Sequence, residues 1–223
     1  MDLSIIINEA LEVLKQGGVI LYPTDTVWGI GCDACNEDAV RKVFALKRRS
    51  GAKSLVLLAS DLDMVARYVN RIPPMAIDLV EVNDAPMTLI YPGAAVQTGQ
   101  AGRAALAPSV VAEDGSVGIR IPRVASAAED DRPVSAGAIF CNKLIFKLHR
   151  PLVSTSANIS GEPTPSVFGE ISDEIRNGAD YVVPAAASGI FGQAAVRFDD
   201  TASGRASQII KLGLDGEVEI IRE

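Results

Sequence analysis

The sequence predicts an α/β fold built on a sheet of mixed strand direction. Short apolar runs that end in proline or polar residues alternate irregularly with segments of helical periodicity, and about seven of these runs are typical of strands. The 223 residues are 48% hydrophobic and 22% charged. This balance excludes a disordered chain and supplies enough apolar surface for a buried core. We therefore expect one globular domain with helices packed around a twisted sheet.

The N-terminal half contains three predicted helices. Apolar residues recur at helical spacing from Ile5 to Leu14, and Gly17-Gly18 is expected to end that helix. "VILYP" predicts a buried strand, and "TDTVWGIG" is turn-like and then extended. Asn36 is expected to cap a helix through "EDAVRKVFALKRR", which carries three cations in its last turn. "SLVLLAS" predicts a strand, and Asp61 a cap for a helix to Val69.

The C-terminal half is richer in predicted strands. "APMTLIYP" and "SVGIRIP" are two strands that each end at a proline, and "NKLIFKLH" is a helix. "PLVSTS", "DYVVP", "ASQIIKL" and "VEIIRE" complete the strands, and "SVFGEISDEIRNG" is a further helix. Residues 93–107, 123–138 and 184–196 are rich in Ala, Gly and Ser with little periodicity, which favours loops or lids.

Composition also limits the classes of function. The net charge of −7 argues against a surface wholly given to nucleic acid but allows a local basic groove. The first residues are acidic where a signal peptide is basic, and no apolar run approaches the roughly 20 residues of a membrane span. Three cysteines fit a reducing compartment. We expect a cytoplasmic protein without a membrane segment.

Several short motifs give only weak indications. "GIGCDA" fits the dinucleotide fingerprint, but "PTDTVW" separates it from the preceding strand and the next helix begins later. Cys32 and Cys35 form a C-x-x-C pair, yet a zinc site would have to recruit Cys141 and His149 from over a hundred residues away. No protein metal site is therefore predicted, and His149 is expected to be structural. There is no P-loop motif.

The remaining polar residues suggest phosphate binding without a P-loop. They are a cationic cluster (Lys47, Arg48, Arg49, Lys53), a donor-rich loop (Ser154, Thr155, Ser156, Asn158, Ser160) and threonines at strand ends (Thr24, Thr26, Thr88). Hydroxyls and amides can bind phosphate oxygens, and Lys or Arg can neutralise their charge. The alternatives are a solvated helix end and an ordinary hydrogen-bonded loop. Arg120 lies inside an apolar strand, where a cation is costly unless it meets an anion or points to the edge of the sheet.

The motifs "YPTDTVWGIG", "ALKRR", "APMTLIYP", "SVGIRIP" and "RPLVSTSANISGEPTP", in this order, resemble the YrdC family, the threonylcarbamoyl-AMP synthases of tRNA modification. The resemblance implies a single YrdC-like domain over residues 1–223 with a concave, basic cavity. It implies a nucleotidyltransferase that converts L-threonine, bicarbonate and ATP with Mg²⁺ to threonylcarbamoyl-AMP and pyrophosphate. It also implies that a downstream complex transfers the threonylcarbamoyl group to tRNA. The alternative is a noncatalytic paralogue that binds RNA or nucleotides.

The resemblance also implies roles for individual residues. L-threonine is expected to contact Thr24, Thr26, Arg120 and Ser207. ATP is expected to contact Lys47, Arg49, Lys53, Thr88, Ser154, Ser156, Asn158 and Arg222. Lys47, Arg49 and Arg120 are the expected catalytic residues, because positioning and charge neutralisation suffice for this reaction without a covalent intermediate.

Overall fold

The computed structural model describes residues 1–49, 55–82, 85–95, 105–124 and 134–223. Its helices are α1 (Leu3–Lys15), α2 (Glu37–Leu46), α3 (Leu62–Tyr68), α4 (Pro74–Val82), α5 (Ala136–Leu148) and α6 (Asp173–Gly178). Its strands are β1 (Ile20–Tyr22), β2 (Gly29–Gly31), β3 (Val56–Leu58), β4 (Met87–Tyr91), β5 (Val117–Arg120), β6 (Leu152–Ser156), β7 (Tyr181–Val182), β8 (Ala186–Ala187), β9 (Val196–Arg197), β10 (Gln208–Leu212) and β11 (Val218–Arg222). None of the described helices is long and apolar enough to span a membrane.

The sheet is mixed, as the sequence predicts. Its order is β11-β10-β4-β5-β3-β6-β2-β1-β7. The pairs β3/β5, β4/β10 and β1/β7 are parallel, and the other neighbours are antiparallel. The expected number of about seven strands was too low, because β2, β8 and β9 carry almost no sequence pattern. In the segment predicted as a loop or lid, β8 begins a small separate pair with β9.

Side-chain caps start the helices where the sequence indicates. Asp2, Asn36 and Asp61 each accept a hydrogen bond from a main-chain N–H in the first turn of α1, α2 and α3. The apolar stripe of α1 is buried: Leu3, Ile6, Ile7, Ala10, Leu11 and Leu14. Burial of such a stripe holds a helix of this length on the sheet more than propensity does.

Three predicted helix boundaries were wrong. Helix α2 ends at Leu46, because Lys47 turns inward and Arg48 is left-handed with φ of 50°. Helix α5 begins six residues before the predicted "NKLIFKLH", and a side chain at its Gly137 would collide with the main chain of Thr24. The predicted helix in "SVFGEISDEIRNG" contains only α6 after a short 3₁₀ turn.

Helix α4 was not predicted. It starts at the second proline of "RIPP", a residue that breaks a helix interior but is well suited to its first turn. The two consecutive prolines of "RIPP" argue against a helix in the sequence, and α4 has only one fully buried residue, Ala76, so its apolar pattern is weak.

The strand register places the polar residues of four strands on one side of the sheet. Arg120 lies opposite Leu58, Leu58 opposite Leu152, and alternate residues of β6 share that side. Ile90 lies opposite Gly118, and Ile209 pairs with both Thr88 and Arg222. The residues that consequently share this side are Thr88, Arg120, Ser154, Ser156 and Arg222. We call it the polar face.

Candidate functional site

The loop from Pro23 to Trp28 joins β1 to β2 and carries two buried threonines. The hydroxyl of Thr24 donates to Val27 O at 2.8 Å, so Thr26 supplies the proton for the 2.7 Å bond between the two hydroxyls. The loop is fixed from outside: Ser203 N–H donates to Asp25 O and Gly204 N–H to Thr26 O, each at 2.9 Å. The predicted threonine-side residues Thr24 and Thr26 are therefore rigidly held.

Arg120, at the end of β5, is only 4% exposed. Its Nη1 donates to Asp25 Oδ1 at 2.7 Å, and the Asp25 side chain is 11% exposed. The sequence left two alternatives for this cation, an anionic partner or the edge of the sheet, and in the structure it meets the anion Asp25. Asp25 was not predicted as a site residue, although it stands between Thr24 and Thr26 in the sequence.

A third cluster joins β4, β10 and β11. Thr88, fully buried, shares a 2.8 Å hydrogen bond with the hydroxyl of Ser207. Arg222 donates from Nε and Nη2 to Ser207 O at 2.9 and 2.6 Å. Burial and the nearby charge of Arg120 lower the pKa of Arg222. This cluster therefore lies beside the Arg120–Asp25 pair.

Lys47, directly after α2, is 2% exposed and is bound to the donor-rich loop. Its ammonium donates to the carbonyl oxygen of Ser156 and to that of Asn158 at 2.7 Å, and its own carbonyl accepts from Ser160 N–H at 2.9 Å. Burial, reinforced by the charge of Arg49, lowers the pKa of Lys47 to about 8. The lysine and the loop after β6 form one unit.

The loop itself presents a mixture of satisfied and open groups. The Asn158 amide donates to Ile159 O at 3.0 Å and to Glu162 O at 2.7 Å, whereas its Oδ1 is buried with no hydrogen-bond partner among the described residues. Ser154 and Ser156 are half-buried on the polar face. The Ser156 side chain is thus partly accessible to a ligand where β6 ends, whereas the Ser154 hydroxyl is hydrogen-bonded to Tyr22 and Asn158 Oδ1 is buried.

The predicted cationic cluster is divided in the structure. Arg48 points away and forms an exposed 2.6 Å ion pair with Glu174, whereas Lys47 turns toward the loop and the half-buried Arg49 lies close enough for its charge to lower the pKa of Lys47. Burial lowers the pKa of Arg49. Lys53 lies outside the described residues. The backbone of Arg48 is left-handed, with a φ of 50°, and the chain changes direction there between Lys47 and Arg49.

The predicted site residues form a continuous series of neighbours. Ser207 links Thr88 to Arg222, which lies near Arg120. Arg120 holds Asp25, next to Thr24 and Thr26. A Cβ at Gly29 would lie 3.5 Å from Thr24 Cγ2, and Gly29 pairs with Ser156, which is bound to Lys47. Sequence positions from 24 to 222 are thus brought to one site.

Trp28 connects the segment that follows β9 to this site through a hydrogen bond and a ring contact. The indole N–H of Trp28 donates to Asp199 Oδ1 at 2.7 Å, and its ring packs on Phe168 with a centroid distance of 4.8 Å. Asp199 also accepts from Phe168 N–H at 3.2 Å. The predicted loop or lid at 184–196 is thus followed directly by a fixed anchor, which the sequence did not indicate.

The other motifs have structural environments. Gly29 and Gly31 of "GIGCDA" belong to β2 and do not form the turn that opens a nucleotide-binding helix. Burial raises the pKa of Cys35 to about 12 and that of Cys32 and Cys141 further, which opposes thiolate chemistry. His149 ends α5 with φ of 58°. The described residues contain no group of three or more potential metal ligands.

The fold and the site together define an α/β domain with a mixed sheet whose polar face bears buried cations and hydroxyls at strand ends, an arrangement suited to an anionic ligand. The chain belongs to the Sua5/YciO/YrdC family, whose model, described as "Telomere recombination", matches residues 12–223.

A curated relative supports this assignment, and solved structures show a similar fold. The chain is 30% identical over 204 residues to a threonylcarbamoyl-AMP synthase of Hahella chejuensis, covering 89% of this chain and 95% of that protein. It is similar in fold to P. abyssi Sua5 complexed with L-threonine (TM-score 0.65, 22% identity, 92% of this chain and 50% of that chain). E. coli YciO is also similar (TM-score 0.67, 22% identity, 97% and 88%). The chain thus spans about half of that Sua5 and most of the other two.

Proposed function

We propose that this protein is an L-threonylcarbamoyladenylate synthase, which converts L-threonine, bicarbonate and ATP to threonylcarbamoyl-AMP and pyrophosphate. The observation that carries the proposal is the continuous site in which a buried arginine and a buried lysine flank a series of hydroxyls. An amino-acid carboxylate and a triphosphate both require cations, and this site has one buried cation on β5 and another beside the loop after β6. The name of the Hahella relative supports the same reaction.

The amino-acid side is formed by Arg120, Thr24, Thr26 and Ser207. Arg120 uses one of its five N–H groups on Asp25, which leaves donors for the threonine carboxylate. The fixed hydroxyls of Thr24 and Thr26 line the wall beside it, and Ser207 closes the opposite side through its bond to Thr88. This arrangement orients threonine by its polar groups.

The nucleotide side is formed by Lys47, Arg49, Ser154, Ser156 and Asn158. Thr88 and Arg222 are also proposed to contact ATP, although their strands β4 and β11 lie beyond β5 from this loop in the strand order. Lys53 is proposed to add a further cation from the residues after Arg49. The lysine and arginines neutralise phosphate charge, and the serine hydroxyls and the asparagine bind its oxygens. Mg²⁺ enters as part of the ATP complex, where it shields the phosphates.

The mechanism uses position and charge. Bicarbonate loses hydroxide to give carbon dioxide, and the hydroxide takes a proton from the threonine ammonium to form water. The neutral amine then adds to carbon dioxide, releases a second proton to solvent and becomes a carbamate. A carbamate oxygen then attacks the α-phosphorus of ATP as the bond to pyrophosphate breaks. Lys47 and Arg49 stabilise the charge that develops on the phosphates, and Arg120 holds the threonine carboxylate away from the phosphates. A downstream complex transfers the threonylcarbamoyl group to tRNA in the cytoplasm.

The test is a pyrophosphate-release assay with purified protein, ATP, Mg²⁺ and bicarbonate, with and without L-threonine. We expect release to depend on both threonine and bicarbonate, and threonylcarbamoyl-AMP to appear by mass spectrometry in equal amount. Equal release with and without threonine would make the proposal wrong. Salt-sensitive RNA binding in the absence of any threonine dependence would instead favour the noncatalytic paralogue.

A further inference from the structure

The carboxylate of Asp25 has one oxygen engaged and one open. Oδ1 accepts from Arg120, while Oδ2 has no hydrogen-bond partner among the described residues. Oδ2 is also not among the buried unpartnered atoms, so it faces accessible space. The residues on either side of it, Thr24 and Thr26, are buried and held by the chain. Asp25 therefore has a fixed position and a free acceptor.

The charges near Asp25 are unequal. Arg222 lies close enough to Arg120 for the charge of Arg120 to lower its pKa, and of these two neighbouring guanidinium groups only Arg120 has a described carboxylate partner. A ligand carboxylate would restore the balance at the arginines. The amine of an α-amino acid is attached to the carbon next to its carboxylate. When that carboxylate lies on Arg120, the amine is therefore directed to a neighbouring group.

We propose that Asp25 is a substrate-contacting residue whose free carboxylate oxygen accepts a hydrogen bond from the α-amino group of the amino acid that Arg120 holds by its carboxylate. Arg120 and Asp25 thus recognise the two charged ends of one zwitterion. This inference rests on the proposed function and adds a specificity rule: an α-amino acid binds well, and its α-hydroxy analogue binds poorly. The same contact fixes the direction in which the amine meets carbon dioxide.

The experiment measures the affinity of L-threonine and of 2,3-dihydroxybutanoate, which has a hydroxyl in place of the amine, by calorimetry. The variants are Asp25→Asn, which keeps an acceptor but no charge, and Asp25→Glu, which displaces the carboxylate. The control is Asp33→Asn, because Asp33 is another buried carboxylate in a 2.7 Å pair with an arginine, the partly exposed Arg150. We expect wild type and the control to prefer threonine at least about tenfold. In Asp25→Asn, threonine affinity should fall about tenfold or more while dihydroxybutanoate affinity changes less than about threefold.

Two results would overturn the inference. One is an unchanged preference for threonine in Asp25→Asn. The other is an equal loss of both ligands, which would make Asp25 only a positioning residue for Arg120. If Asp25→Asn does not fold, Asp25→Glu decides by the same criterion. These binding assays need no turnover, so a wild type that prefers threonine but releases no pyrophosphate would refute the synthase and leave this inference standing.

Discussion

The two buried cations of the site, Lys47 and Arg120, are compensated in different ways. Lys47 is surrounded by the carbonyl oxygens of Ser156 and Asn158, which are neutral dipoles. Arg120 is paired with Asp25, a carboxylate. Dipoles only partly replace the hydration that a charge loses, so the pKa of Lys47 falls to about 8.

This difference separates two kinds of binding group. A cation held by neutral dipoles keeps most of its attraction for an anionic ligand. A cation paired with a carboxylate attracts such a ligand less, because the carboxylate repels it. The lysine side therefore suits a highly charged phosphate. The arginine side, where a negative and a positive group lie together, suits a ligand that carries both charges.

The largest expected effect is that of Arg120→Met, which would leave Asp25 buried without its partner. We expect a loss of about 3–5 kcal/mol in the free energy of unfolding, measured by urea titration, together with loss of threonine-dependent pyrophosphate release. Arg150→Met is the matched control. Its pair with Asp33 is also 2.7 Å long, but the arginine is 46% exposed and Asp33 keeps a hydrogen bond from Cys35 N–H at 2.9 Å, so a smaller loss of about 1 kcal/mol is expected. Equal losses in the two variants would remove the distinction between the pairs.

Next in size is the effect of Lys47→Met on catalysis. Loss of the ammonium removes charge from the nucleotide side and frees the loop carbonyls, so we expect turnover to fall about 100-fold. The measurement is the steady-state pyrophosphate assay, with ATP and threonine varied separately. Arg48→Met is the control, because its exposed pair with Glu174 points away from the loop. A comparable fall in Arg48→Met would mean that net charge, not the position of Lys47, matters.

The pH dependence should have opposite signs for stability and for ATP binding. In the folded protein the pKa of Lys47 is lowered to about 8 from its ordinary 10.5. Between these two pH values the unfolded chain binds more protons than the folded one, so the contribution of Lys47 to stability rises with pH. The ammonium that attracts phosphate is lost over the same range, so ATP affinity should fall above about pH 8. Unfolding free energy and ATP affinity are each measured against pH, and the values for Lys47→Met are subtracted from those for the wild type. The subtraction is needed because the raised pKa values of the buried thiols make stability fall as pH rises. A flat difference would contradict the buried position of this ammonium.

The smallest expected effect is that of Ser156→Ala on ATP binding. Removal of one hydroxyl from the polar face should weaken ATP about 2- to 10-fold, with less change for threonine, as measured by calorimetry. Thr155→Val is the control because alternate residues of β6 point to opposite sides of the sheet. If Thr155→Val weakened ATP as much as Ser156→Ala does, the polar face would not be the ligand-binding side.

The sequence predicts those parts of the fold whose information is local. The stripe of α1 and the caps at Asn36 and Asp61 are determined by neighbouring residues, and these were confirmed. The end of α2 depends instead on contacts of Lys47 with a loop over a hundred residues away. The strands β8 and β9 depend on pairing that two residues cannot specify.

The candidate site shows the same division. The need of Arg120 for an anion or for the edge of the sheet was evident from its apolar strand, but the identity of the anion that it meets requires the tertiary arrangement of β1 and β5. Likewise, the excess of hydroxyls after β6 indicated a binding loop. The main-chain carbonyls of Ser156 and Asn158 accept hydrogen bonds from Lys47. This could not be predicted, because every residue has a main-chain carbonyl and the sequence does not indicate which of them will face the lysine.

The position of Arg222 has a dynamic consequence. It belongs to β11, an edge strand that pairs only with β10 in the described sheet and whose five side chains are all exposed. Strands with few buried contacts open locally at a lower free energy than the core does. Amide exchange in β11 should therefore be faster than in β5, and ligand binding at Arg222 should slow it. The edge of the sheet thereby links occupancy of the site to the local stability of the strand.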